Sequence, residues 1–219
     1  MQIDVVFDTV CPWCYVGKRR FERALKMRPN IKPQLRYRSF LLNPDLPPQG
    51  VDRREYLERK FGGSAQYERI VEALVFTGKG EGINFALDKI KRTPNSANSH
   101  RLIRLARTMN RQTEAVDALF SAYFERGLDI GNVEVLVRLA EEIGLERGMA
   151  YAHLSTETDL NAVYTENARM HRLGITGVPC YIFNEGRAIA GAQEPEILVR
   201  MFDMALAESA GRTEMQSMA

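Results

Sequence analysis

The chain has 219 residues with 30 basic and 28 acidic side chains, which leaves a formal net charge of +2. That length is one domain, or one domain carrying a large insertion, and 45% apolar with 26% charged residues excludes disordered and fibrous classes. The charge balance does not point to nucleic acid, and no apolar run reaches the ~18 residues of a membrane helix.

Met1-Gln2 leads straight into an apolar, β-branched run at 3–8 that predicts a first strand ending at Thr9-Val10. There is no basic start followed by an apolar stretch, as a signal peptide would need, so the expected compartment is the cytoplasm. Cys11-Pro12-Trp13-Cys14 follows, with the proline placed for a helix's first turn. Gly17, Phe21, Ala24 and Leu25 then give the core stripe of an amphipathic helix. Pro29 and Pro33 bound it, and the alternation from Gln34 to Phe40 predicts a second strand.

Residues 43–50 are a turn-rich break, and from Val51 to about Gly174 the text is helical. Helices are expected over 52–61, 64–76, 97–109, 112–126, 132–143 and 157–173. Asn95 or Ser96 is placed to cap the third and Asn132 the fifth, and Thr156 with Asp159 spells a capping box for the last. The period then returns to two at 178–183 and 187–190, joined by the turn Asn184-Glu185-Gly186. A final helix is expected over about 195–207, with a frayed tail after Gly211.

The chemistry lies in the C-x-x-C that follows a strand and opens a helix. At the helix N-terminus, unpaired N–H groups and the helix dipole favour a thiolate, which makes Cys11 the candidate nucleophile. Cys14, one turn deeper, is placed to resolve the mixed disulfide. The alternative is half of a zinc site, but Cys180, His100, His153 and His171 offer no second closely spaced pair. An odd cysteine count in a reducing compartment also argues against structural disulfides. Thr176-Gly177-Val178-Pro179 puts a proline at the start of a core strand, which suits a cis bond or a strand end abutting a peptide-binding site.

These residues carry a resemblance. Strand, C-x-x-C, helix and distant proline resemble the thioredoxin superfamily with a helical insertion, the pattern of DsbA. More closely, the chain resembles the cytoplasmic FrnE-like group of DsbA oxidoreductases. The resembling segments are Cys11–Glu22, Phe40–Asp45, Asn98–Leu102, Ala122–Ile130, Gly177–Pro179 and Gly191–Pro195. The resemblance implies an α/β thioredoxin-like domain at 1–50 and 175–219, with an all-helical insertion at 51–174 roofing a groove over Cys11. It implies thiol–disulfide exchange on protein or small-molecule disulfides and dithiols, with no metal and no cofactor beyond glutathione as a redox partner. Pro12, Trp13, Val178 and Pro179 would contact substrate, with Pro179 in cis facing Cys11 and the Val178 backbone pairing with the substrate. DsbA has a histidine between its cysteines; Pro12-Trp13 here implies a less oxidising protein. Val5 stands where thioredoxin-like enzymes often keep a buried carboxylate, and Asp4 and Asp8 fall on the other face of an ideal strand. The fold also includes kappa-class glutathione transferases and 2-hydroxychromene-2-carboxylate isomerases. Those typically keep a serine at the position of Cys11 and lack the partner at Cys14, so two intact cysteines favour dithiol chemistry.

Three further features carry two readings each. Cys180 is a small buried hydrophobe or a third thiol within reach of the pair. Nine basic residues between Lys18 and Arg38 against Glu22 alone make a local excess of +8. Lys18 and Arg19 either sit on a solvated face or raise the thiolate population of Cys11. His100 is a satisfied helix histidine or an accessory group, and Tyr15 with Trp13 is expected to border the site.

Overall fold

The computed structural model describes residues 1–61 and 64–217, with side chains described over 1–61 and 66–209. Strand β1 (Gln2–Phe7) leads into helix α1 (Pro12–Lys26) and returns as β2 (Gln34–Ser39), which pairs parallel with β1. Near the C-terminus β5 (Cys180–Phe183) adds antiparallel to the other side of β1, and β6 (Ala188–Ala190) completes a sheet of order β2-β1-β5-β6. Alternation along each strand divides the two faces. Val5, Phe7, Tyr37, Tyr181 and Phe183 face the main core, where Phe21 of α1 stacks on Tyr181 at 5.2 Å between ring centres. Val6 and Cys180 face the other way, toward Phe40, Met170 and Ile175.

Between β2 and β5 run β3 (Val51–Asp52), α2 (Arg53–Phe61), α3 (Ser64–Gly80), β4 (Arg92–Thr93), α4 (Ala97–Thr108), α5 (Gln112–Phe120), α6 (Val133–Glu142), α7 (Arg147–Leu154) and α8 (Leu160–Arg172). The segment is helical but not wholly so: β3 and β4 form a two-stranded antiparallel ribbon. Gly50 turns the chain into it at φ +69, and the Arg92 guanidinium donates to the Gly50 carbonyl at 3.0 Å. Two residues per strand are too few to show a period, so sequence patterning passed over the ribbon. α7 was passed over as well; its N-cap is Glu146, whose carboxylate accepts the Gly148 N–H at 2.7 Å.

The expected helix at 112–126 changes geometry at Ser121. Residues Ser121–Glu125 widen into a π turn closed by the Arg126 N–H on the Ser121 carbonyl at 3.0 Å. Asn132 caps α6 as expected, accepting from Glu134 and Val135 at 2.9 and 3.2 Å. The capping box before α8 does not form. Asp159 sits at φ +63 and turns its carboxylate to Arg104 at 3.3 Å, so α8 begins at Leu160. The last helix, α9 (Pro195–Ser217), runs beyond its expected end and past Gly211. Asn184 meets it around that expected end, donating to the Ala205 carbonyl at 3.2 Å and to the Ser209 hydroxyl at 2.9 Å. Residues 218–219 of the expected frayed tail lie outside the described residues.

Aromatic rings dock the helical segment onto α1. Tyr15 stacks on Phe120 at 5.0 Å and meets Phe124 and Phe85 at 6.2 and 6.1 Å. Among the described residues, no helix is long and apolar enough to cross a membrane.

Candidate active site

β1 ends at Phe7, and the chain turns so that the Cys11 N–H donates to the Asp8 carbonyl at 3.1 Å. Cys11 is the N-cap of α1 with extended backbone, φ −92 and ψ 110, and Pro12 opens the first turn. Its carbonyl accepts the Cys14 N–H at 3.0 Å, and the first turn carries no acidic residue. Both cysteines are free thiols, 5% and 2% exposed, while Trp13 between them is 39% exposed. Burial pushes the Cys14 thiol well above its usual range, and its hydrogen bond to Cys11 adds to the rise. The Asp8 backbone pulls it down while the Asp8 charge pushes it up. Cys14 therefore holds its proton at neutral pH.

Across from the pair, the Val178–Pro179 peptide bond is cis, and the Cys11 thiol makes a long contact to the Val178 carbonyl at 3.8 Å. α1 approaches this loop through Gly17. A Cβ there would lie 2.8 Å from Pro179 Cγ and 2.8 Å from the Tyr181 hydroxyl. Cys11, Pro12, Trp13, Gly177 and Val178 form one wall of a pocket of about 640 Å³. The other wall comes from α2 and α3, with Leu57, Ile70 and Leu74, and its lining includes Tyr123 from the π turn. The helical segment therefore roofs Cys11. Pro179 lies on the inner side, where with Cys14, Lys18, Tyr37 and Tyr181 it lines a cavity of about 20 Å³.

Behind the cysteines lie groups that strand periodicity does not reveal. Asp8 follows the last paired residue of β1, so it escapes the strand's alternation and is wholly buried. Its carboxylate accepts the Leu42 N–H at 2.7 Å and the Val10 N–H at 3.3 Å. His100, 1% exposed, places Nε2 3.4 Å from Asp8 Oδ1 and its ring edge against Phe7. Thr9 shares a hydrogen bond of 2.6 Å with Ser99, which ties the loop before Cys11 to α4. His100 therefore stands beside Asp8 rather than at the Cys11 pocket. A polar pair, Asp8-Thr9, inserted between strand and C-x-x-C was the available signal. Asp4 does lie on the far face, bound to Arg36 at 2.6 Å.

The other expected accessory residues are placed elsewhere. Lys18 is buried and ion-paired with Glu22 and with Asp117, the latter at 2.7 Å. Burial pulls Lys18 down, but Tyr37, Asp117 and Glu22 outweigh it and the net shift is upward. Lys18 is thus a countered cation beneath Cys14 and does not face the Cys11 pocket. The neighbouring basic residues are countered in the same way, Arg20 by Glu81 and Glu194, Arg28 by Asp203 and Arg38 by Glu166. Their partners are remote in sequence, which is why the local excess misled. Tyr15 does not border the pocket; one turn after Cys11 it faces inward and is fully buried. Sheet alternation sends Cys180 to the face away from Cys14, and burial pushes its thiol up. The structure does not bring it to the pair. Among the described residues, no three His, Cys, Asp or Glu side chains converge to hold a metal ion.

The family model described as a DSBA-like thioredoxin domain matches residues 2–203, and the chain belongs to that family. A curated relative, the uncharacterized protein YwbO of Bacillus subtilis, is 28% identical over 199 residues, covering 90% of this chain and 93% of that one. The chain is similar to the crystal structure of a probable DsbA oxidoreductase, SCO1869 of Streptomyces coelicolor, with TM-score 0.85 and 28% identity over 95% of this chain and 91% of that one. It shares its fold with 2-hydroxychromene-2-carboxylate isomerase (TM-score 0.68, 16% identity, 100% of each chain). It shares it also with the cytosolic disulfide reductase DsbM of Pseudomonas aeruginosa, solved with GSH (TM-score 0.64, 20% identity, 97% and 100% coverage).

Proposed function

We propose that this protein is a cytoplasmic, FrnE-like thiol:disulfide oxidoreductase with Cys11 as nucleophile and Cys14 as resolving thiol. The observation that carries it is the juxtaposition at α1's N-terminus. Cys11 opens onto a roofed pocket, Cys14 stands behind it with its proton held, and Val178 faces it at 3.8 Å. The Cys11 thiolate attacks one sulfur of a substrate disulfide, forms a mixed disulfide and expels the other sulfur as thiolate. Cys14 then loses its proton and attacks Cys11, releasing the substrate's second thiolate and leaving the Cys11–Cys14 disulfide. Two electrons pass to the substrate, and run in reverse the same steps oxidise a dithiol. Glutathione is the redox partner that returns the pair to its starting state.

A glutathione-dependent isomerase is the second reading, favoured by the shared fold with 2-hydroxychromene-2-carboxylate isomerase. The two part at Cys14. In the dithiol reading, Cys14→Ser halts the reaction at a mixed disulfide on Cys11 that intact-mass measurement detects, and Cys11→Ser gives none. Turnover surviving intact in Cys14→Ser overturns the dithiol reading in favour of the isomerase.

A further inference from the structure

The pocket over Cys11 has an uneven charge pattern. Its lining is mostly apolar, and its charged members are Arg53, Lys60 and Arg69, with no Asp or Glu among the described lining residues. Lys60 and Arg69 lie on exposed positions of α2 and α3. Arg53 is half-buried and held in place. Its backbone N–H donates to the Lys91 carbonyl at 3.0 Å, and its Nη1 donates to the Tyr123 hydroxyl at 3.1 Å. The Tyr123 ring lies under the guanidinium at 5.9 Å. Its Nε is buried with no hydrogen-bond partner, and Arg53 forms no ion pair with any described residue. The contrast with Lys18, Arg20 and Arg38 is direct, since each of those buried or half-buried cations has its carboxylate.

Arg53 also borders a neighbouring cleft that includes Asp52, Glu58, Glu68 and Asp88, none of which pairs with it, and its planar fork suits a carboxylate in two-point contact. A cavity of about 640 Å³ also falls within the range of sites that enclose small molecules. We propose that the pocket takes a small amphipathic disulfide bearing a carboxylate: Arg53 holds the carboxylate, Leu57, Ile70 and Leu74 cover the apolar body, and the disulfide meets Cys11. This rests on the dithiol reading, and the exchange follows the steps given above, with each half of the substrate leaving as a thiolate.

The test follows, by absorbance, single-turnover release of the thiol leaving group by the pre-reduced protein from two aromatic disulfides. One, 5,5′-dithiobis(2-nitrobenzoate), is anionic; the other, 2,2′-dithiodipyridine, is neutral. Arg53→Gln is expected to slow the anionic reagent at least ~10-fold while the neutral one changes less than twofold, and Arg53→Lys recovers part of the loss. Arg59→Gln, an exposed cation of α2 outside the pocket's lining, leaves the ratio of the two rates within about threefold of wild type. Equal slowing with both reagents makes Arg53 structural and overturns the proposal. So does an unchanged ratio in Arg53→Gln, or a loss in Arg59→Gln that matches it. Release from neither reagent by the wild-type protein ends the dithiol reading itself, a distinct result.

Discussion

The Cys11 thiol meets the carbonyl of Val178 at 3.8 Å, joining the first helix to a loop 167 residues away. The contact depends on how closely α1 lies against Pro179, and Gly17 sets that approach. Gly17→Ala drives a methyl group to 2.8 Å from Pro179 Cγ and the Tyr181 hydroxyl, so the loop must move. The expected loss is about 1–3 kcal/mol of stability, the usual range for overpacking, together with slower disulfide exchange. Chemical denaturation and single-turnover rates check it; unchanged values for both would mean that the loop does not depend on Gly17.

Alkaline pH should separate the reduced from the oxidised protein. Burial raises Cys14 and Tyr181 well above their usual values, with smaller rises at Cys180. A group raised in the folded state gives stability that is complete below its unfolded value and is lost as pH climbs toward the folded one. For the cysteines the loss begins near an unfolded value of about 8.5, and for tyrosine near 10. The oxidised protein has no Cys14 thiol. Between these pH values, melting temperatures should therefore fall more steeply for the reduced form. Parallel curves would contradict the burial of Cys14.

Asp8 raises Cys14 through its charge, so Asp8→Asn should lower the pH at which the resolving step reaches half its maximal rate. The amide oxygen can still accept the Leu42 N–H that Asp8 holds at 2.7 Å, which keeps the loop in place. The pH dependence of release from a preformed Cys11 mixed disulfide measures the effect. A midpoint that stays put or moves upward would rule out a charge effect of Asp8 on Cys14.

Arg101 is nearly fully buried, and its guanidinium bonds Thr158 O at 2.6 Å, Leu154 O at 3.2 Å and Asn98 Oδ1 at 2.8 Å, besides His153 O. It closes the C-terminal end of α7 and the turn into α8. Arg101→Leu strands the buried Leu154 carbonyl and removes the partly buried bonds to Thr158, Asn98 and His153, at about 1–3 kcal/mol for the buried group left unsatisfied. A loss below about 1 kcal/mol in urea unfolding would show those carbonyls are satisfied otherwise. Arg101→Lys, one donor head in place of a fork, should fall between.

The part of the molecule that holds the cysteine pair was legible because its signals are local. A β-branched run, C-x-x-C at a helix start and a proline opening a strand each declare themselves within a few residues. What escaped depends on pairings across the chain. The two-residue strands at 51 and 92 gain meaning only from each other, and Arg101 finds its carbonyl acceptors more than 50 residues away. Asp8 was misplaced because strand alternation was extended one residue past Phe7, where pairing ends. The basic run from Lys18 to Arg38 read as uncompensated because its carboxylates lie at positions such as 81, 117, 166 and 203.

The central claim is that Cys11 and Cys14 form a working redox pair, and Trp13, the single tryptophan, sits between them. Its fluorescence across glutathione buffers of graded potential tests the claim directly. One two-electron transition is expected between about −120 and −270 mV, the span from DsbA to thioredoxin. No transition across that span would contradict it.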